Sequence, residues 1–206
     1  MRPSLTSLLS SRANRLCAVL VVTLCIPYTL VAQQNQLANA TVLIVRHAEK
    51  PESGNSLTPL GFARADKYAE YFRPFKADSE IITIDALYAG ADSKGSVRPR
   101  LTLEPLSWAM GIPLNTQFPT TDPEALATAL RTEPHGRHVL IAWRHSKIPA
   151  LVKALGADPE SLIPNSVWPD AVYDWVLLLH FDAQGRVATQ TLIHEPDFHL
   201  SSPQPK

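Results

Sequence analysis

Arg46 and His47 interrupt a run of apolar and β-branched residues, Thr41-Val42-Leu43-Ile44-Val45. Such a run reads as a strand buried on both faces. In an open α/β sheet, ligands bind just beyond the carboxyl ends of the strands. Arginine offers a planar fork of donors suited to phosphate oxygens. Histidine serves as nucleophile or general base near neutral pH. The plainer alternative is a strand end finished by two solvated polar residues. Three further segments repeat the pattern of a polar residue at the end of an element. They are Arg98 with Thr102 in Arg98-Pro99-Arg100-Leu101-Thr102-Leu103-Glu104-Pro105-Leu106, His145-Ser146 after Val139-Leu140-Ile141-Ala142-Trp143-Arg144, and the helix opening Leu57-Thr58-Pro59-Leu60-Gly61.

Taken in order, these segments resemble the histidine phosphatase (phosphoglycerate-mutase-like) superfamily. The first motif is Arg46-His47-Ala48-Glu49-Lys50. The second is Arg-x-x-x-Thr followed by Pro-Leu, and the third is an apolar strand followed by His-Ser. A helix opening Leu-Thr-x-x-Gly comes with Arg64-Ala65 nearby. The resemblance covers residues 41–195. It implies a phosphatase in which His47 attacks phosphorus in line and forms a phosphohistidine that water hydrolyses, with no metal or other cofactor. It also implies that Arg46, Arg98 and His145 bind the phosphoryl group, which carries about two negative charges near neutral pH. A helix N-terminus after His145 would add backbone donors. A non-catalytic binder of phosphorylated ligands and a mutase are the alternatives. The mutase is disfavoured by a short chain without long insertions.

Members of the superfamily often carry an acidic proton donor between the second arginine and the second histidine. Here the stretch 111–135 holds Asp122, Glu124 and Glu133. Asp122 is the first choice, although it is also an ideal helix N-cap. Asp170, in Val167-Trp168-Pro169-Asp170, is the second. Trp143-Arg144 stands where many members have small residues, and Glu49 and Lys50 could line the mouth. His135 and His138 mimic a metal pair but lack a third ligand fixed by spacing. His180, His194 and His199 read as surface or strand residues. Trp108, Trp168 and Trp175 read as packing. The phosphate-cradling glycine loop, the dinucleotide fingerprint and Gly-x-Ser-x-Gly are all missing from the sequence.

The elements that must position these residues alternate in type. Strands are expected at 41–46, 81–88 and 138–143. Helices are expected at 59–72, 99–110, 123–131 and 149–155, and a hairpin pairs 173–181 with 186–193. This order predicts an α/β fold of three layers, a mostly parallel central sheet with helices on both faces and a C-terminal antiparallel hairpin. Residues 33–40 read as a flexible lead-in and 196–206 as a tail.

The 206 residues suit one globular domain. Arg2, Arg12 and Arg15 precede an apolar run, Leu16 to Ala32, so residues 1–32 read as an export signal with cleavage after Ala32 or as late as residue 40. A retained membrane anchor is the alternative; the run is short for a span and contains Pro27. Both cysteines, Cys17 and Cys25, lie in that run, so a mature chain would have no disulfide or thiolate chemistry. Its 16 basic residues would face 19 acidic ones, a net charge of −3 that leaves no nucleic-acid footprint. The expected partner is a small phosphorylated substrate, met in the periplasm or outside the cell.

Overall fold

Strand β1 (Thr41–Arg46) is buried along its whole length. It lies inside a six-stranded sheet, and its alternating side chains divide between two layers of core. Val42 and Ile44 pack with Leu126, Leu130, Leu151 and Val152, which belong to helices α3 (Pro123–Thr132) and α4 (Ile148–Ala154). Leu43 and Val45 pack with Tyr68, Leu103 and Leu106 of α1 (Pro59–Tyr71) and α2 (Arg98–Met110). Burying each Leu, Ile or Val side chain is worth about 1.5–3 kcal/mol. A strand held on both faces in this way places the residues at its end firmly.

The computed structural model describes residues 35–78 and 80–200. The export signal expected at 1–32 lies outside the described residues, as do residues 33–34 and 201–206 of the lead-in and tail. The remaining elements are β2 (Phe75–Ala77), β3 (Glu80–Ile82), β4 (Ala86–Ala89), β5 (Leu114–Asn115), β6 (His138–Trp143), α5 (Pro159–Leu162), β7 (Trp175–Phe181) and β8 (Val187–His194). The main sheet runs β5-β4-β6-β1-β7-β8. The β5–β4, β4–β6 and β6–β1 pairs are parallel, and β1–β7 and β7–β8 are antiparallel. The three-layer α/β architecture with its closing hairpin is therefore as expected. No helix among the described residues is long and apolar enough to cross a membrane.

Four local expectations need correction. The strand expected at 81–88 is broken: β3 pairs with β2 in a separate two-stranded sheet, and β4 joins the main one. Asp85 sits at the break and accepts the amides of Arg137 and His138, each at 2.9 Å. A short acidic side chain that captures backbone donors competes with the ladder. The lead-in is not loose where it is described. Leu37 is completely buried, and the Gln36 and Asn39 amides donate to the carbonyls of Arg131 and Asp182. Trp108 is 74% exposed on α2 rather than packed, whereas Trp168 and Trp175 pack on each other at 5.2 Å. Residues 196–200 are not a free tail, since Phe198 lies against Tyr71 at 5.2 Å.

Candidate active site

His47 continues the β1–β6 ladder one step past the strand, its amide donating to the Trp143 carbonyl at 2.9 Å. Its ring Nδ1 lies 2.8 Å from the Ala48 carbonyl oxygen. A carbonyl only accepts, so Nδ1 carries the hydrogen and Nε2 keeps its lone pair. Burial pushes the His47 pKa down to about 3, and the charges of Arg46 and Arg98 add to the shift while the Ala48 bond opposes it. The ring is neutral over the physiological range, the state required of a nucleophile.

His145 follows β6, the parallel neighbour of β1, so both histidines emerge at the same sheet edge. Their rings meet edge-on with centroids 6.1 Å apart. Burial, then Arg46, lowers the His145 pKa to about 4, and Asp170 opposes this. The His145 Nε2 lies 2.7 Å from Asp170 Oδ1. The helix N-terminus expected directly after His145 is displaced. A 3-10 turn spans His145–Lys147 before α4, and the amides of Lys147 and Ile148 are already bonded to the Arg144 carbonyl. The cause is Pro149, which is accommodated only in the first turn of a helix.

Arg46 is 1% exposed and largely occupied. Its NH1 donates to the carbonyls of Pro169, Asp170 and Val172 at 3.1, 2.7 and 2.9 Å, and its NH2 to the Tyr173 hydroxyl at 3.1 Å. The guanidinium carbon lies 3.8 Å from the centre of the Tyr173 ring. Arg46 thus clamps the loop before β7 as well as facing the site. Arg98, the first residue of α2, donates to the carbonyls of Gly54 and Gly95. In both arginines Nε is buried without a partner.

Two small residues explain the spacing of the motifs. Thr102 Oγ1 accepts the Ala48 amide at 2.8 Å and donates to the Arg98 carbonyl at 2.8 Å. The Arg-x-x-x-Thr spacing therefore straps α2 to the loop that carries His47. Thr58 caps α1 by accepting the Gly61 amide at 3.0 Å. A Cβ on Gly61 would stand 2.6 Å from the Glu49 carbonyl oxygen, so only glycine lets α1 approach that loop.

Of the possible proton donors, Asp122 caps α3, accepting the Ala125 amide at 3.1 Å. Asp170 is the one at the histidines. Besides His145, its Oδ1 lies 3.7 Å from Lys50 Nζ and 4.0 Å from Arg46 NH2. The His145 contact, then Lys50, holds its carboxyl below the usual range. Tyr173 went unnoticed in the sequence. The available signal was topological: β7 is antiparallel to β1, so the chain entering β7 must pass the end of β1. His135 and His138 instead bond the carbonyls of Leu130 and Thr83. Among the described residues no cluster of three or more His, Cys, Asp or Glu could hold a metal.

Glu49 turns away from this cluster. Arg64 Nε donates to its Oε1 at 2.9 Å, Arg64 NH1 reaches Glu195 Oε2 at 2.5 Å, and the Tyr68 hydroxyl reaches Glu195 Oε1 at 2.5 Å. Burial pushes the Glu195 carboxyl up to about 7, against the pull of Arg64 and Tyr68.

No family model matches the chain, and no curated protein matches it. Among solved structures, the chain is similar to phosphoglycerate mutase from Plasmodium falciparum, at 17% identity and a TM-score of 0.45 over 81% of this chain and 96% of that one. It is also similar to mycobacterial glucosyl-3-phosphoglycerate phosphatase, at 15% identity and a TM-score of 0.46 over 76% and 98%. A third is the alpha-ribazole phosphatase from Shigella flexneri, at 12% identity and a TM-score of 0.47 over 75% and 95%.

Proposed function

We propose that this chain is a phosphomonoester hydrolase of the histidine phosphatase type, working through a phosphohistidine on His47. The observation that carries the reading is a neutral, buried His47 with Nε2 unprotonated, beside two arginines that each keep a buried N–H without an acceptor. Buried donors are nearly always satisfied. A phosphoryl oxygen supplies the acceptor, and its charge matches the surplus of arginine. Positioning and stabilisation of the equatorial oxygens are most of what phosphoryl transfer needs.

In the first step His47 Nε2 bonds to phosphorus and the P–O bond to the alcohol breaks, leaving an alkoxide that must take a proton. In the second, water attacks phosphorus and gives a proton to the Asp170 carboxylate left by the first step, the P–N bond breaks with its electron pair returning to His47 Nε2, and inorganic phosphate forms. Asp170 is the acid we assign, in place of the cap Asp122. In the free site Asp170 is held ionised by its contact with His145 and by Lys50. A phosphoryl dianion bound to Arg46 and His145 displaces it and lies beside it, and a neighbouring like charge raises a carboxyl pKa. Substrate binding itself then protonates the acid. The ionised Asp170 also supports the rival reading, a phosphate binder without turnover.

Phosphate release from an aryl and an alkyl phosphate by the purified chain separates the two. An enzyme releases phosphate and traps an acid-labile, base-stable phosphoryl group on His47, and His47→Ala lowers turnover by about 10⁴-fold or more. Phosphate-competed binding with no release identifies the binder. Export is part of the proposal. Cleavage after Ala32 keeps the buried Leu37, whereas cleavage at residue 40 removes it. N-terminal sequencing of the mature protein should therefore begin near Gln33.

A further inference from the structure

Arg144 has no part in the chemistry above, and its position is unusual. It follows β6 in an extended conformation (φ −81°, ψ 125°), so its side chain and that of His145 diverge to opposite sides of the chain. His145 turns to Asp170. Arg144 instead lines a small, partly open cavity of about 190 Å³ together with Arg98, Ser93, Ser96 and Thr120. Gly90 makes room for this wall, since a Cβ there would stand 2.2 Å from the Thr120 methyl.

The charge in this cavity is unbalanced. No carboxylate lines it. Asp92, the nearby acid in sequence, is engaged by Arg100 at 2.8 Å. Among the described residues Arg144 makes no ion pair, and Arg98 spends its terminal nitrogens on two carbonyls. Burial, and after it the repulsion of Arg144, lowers the Arg98 pKa. Two unneutralised arginines and three hydroxyl-bearing residues around a space of this size suit one small tetrahedral oxyanion. Arg98 lines this cavity and its charge also acts on His47, so the cavity and the reacting site share one arginine.

Building on the phosphatase reading, we infer that Arg144 is a specificity residue that binds a second phosphoryl group of the substrate, and that the substrate class is a small compound bearing two phosphoryl groups a short linkage apart. The hydrolysed group lies at His47 within reach of the free Arg98 Nε; the other is held by Arg144 and the hydroxyl-bearing wall of the cavity, with Arg98 contributing charge, and is not cleaved in that binding mode.

The test uses the full chain and a matched pair, 1,3-propanediol bisphosphate and 3-hydroxypropyl phosphate. Wild type should show kcat/KM at least ten-fold higher for the bisphosphate, beyond the two-fold advantage of its two equivalent groups. Arg144→Gln should collapse that ratio to about two, mainly through KM. Arg144→Lys, which keeps charge but loses the fork, should fall between. Arg144 is exposed, so loss of folding is not the expected outcome, and a circular dichroism melt checks it. Equal use of both compounds by wild type, or a ratio untouched by Arg144→Gln, overturns the inference while leaving His47 as nucleophile. Absence of phosphate release from either compound overturns the phosphatase reading, and this inference with it.

Discussion

Two buried charged clusters grow from the same short loop, and they are built to different rules. His47 feels the charges of Arg46 and Arg98, and the exposed carboxylate of Asp170 stands near Arg46, Lys50 and His145. Two residues on, Glu49 enters a chain with Arg64, Glu195 and Tyr68 in which cation and anions answer one another over short hydrogen bonds. The first cluster keeps donors in hand and an exposed counter-ion. The second spends its donors internally and ties the segment after β8 to α1. A surplus of one charge and unspent donors mark ground prepared for a ligand, whereas the second network, with one buried acceptor left over at Glu49 Oε2, pairs opposite charges and marks a fastening.

The largest expected break in this contrast is at Asp170. If it is the acid, Asp170→Asn should slow an alkyl phosphate by about 10²–10⁴-fold and an aryl phosphate with a good leaving group far less. Asp122→Asn should affect both substrates equally and little, because asparagine caps a helix nearly as well. Equal sensitivity of the two substrates to Asp170→Asn would return the proton to another group. Next in size is Arg98. Arg98→Lys removes the fork and should cost roughly ten- to a hundred-fold in kcat/KM, the weight of one or two charge-assisted bonds. Arg100→Lys should cost far less, since Arg100 pairs with Asp92 and Glu104 on the surface. A greater loss at Arg100 would mean that the second motif has been placed in the wrong register.

The smallest effect on activity, and the sharpest on stability, concerns the second cluster. Glu195 is raised to about 7 when folded, so the folded state favours its protonated form. Its contribution is complete below the unfolded value near 4.5 and is lost as pH rises through about 7, on the order of 3 kcal/mol. His47 has the opposite sign. Lowered to about 3, it contributes above about 6.5, and that stability is lost as pH falls towards 3. Urea melts across pH should show the alkaline slope flattened by Glu195→Gln and the acid slope flattened by His47→Ala. Turnover at a fixed pH should survive Glu195→Gln. Large loss of turnover in Glu195→Gln would place the fastening inside the active site.

Much of this molecule was written in local order. The apolar run 41–45 determined a doubly buried strand, because no other element of that length hides every side chain. Thr58-Pro59 and Asp122-Pro123 determined helix starts through capping and a preset φ, and Asp182 to Gly185 determined the hairpin turn. His47, Arg98 and His145 could be singled out because each stands where an element ends. Tertiary structure alone decided the rest. Asp122 and Asp170 look alike in sequence, and only the antiparallel placement of β7 against β1 brings Asp170, and not Asp122, to the histidines. The strand expected at 81–88 split because Asp85 found two amides more than fifty residues away. Arg46 became a clamp because the loop it holds comes from the far end of the chain. Periodicity, capping and turn chemistry act over a few residues and can be read from them. Which donor meets which acceptor across more than a hundred residues is set by packing, and no local pattern carries it.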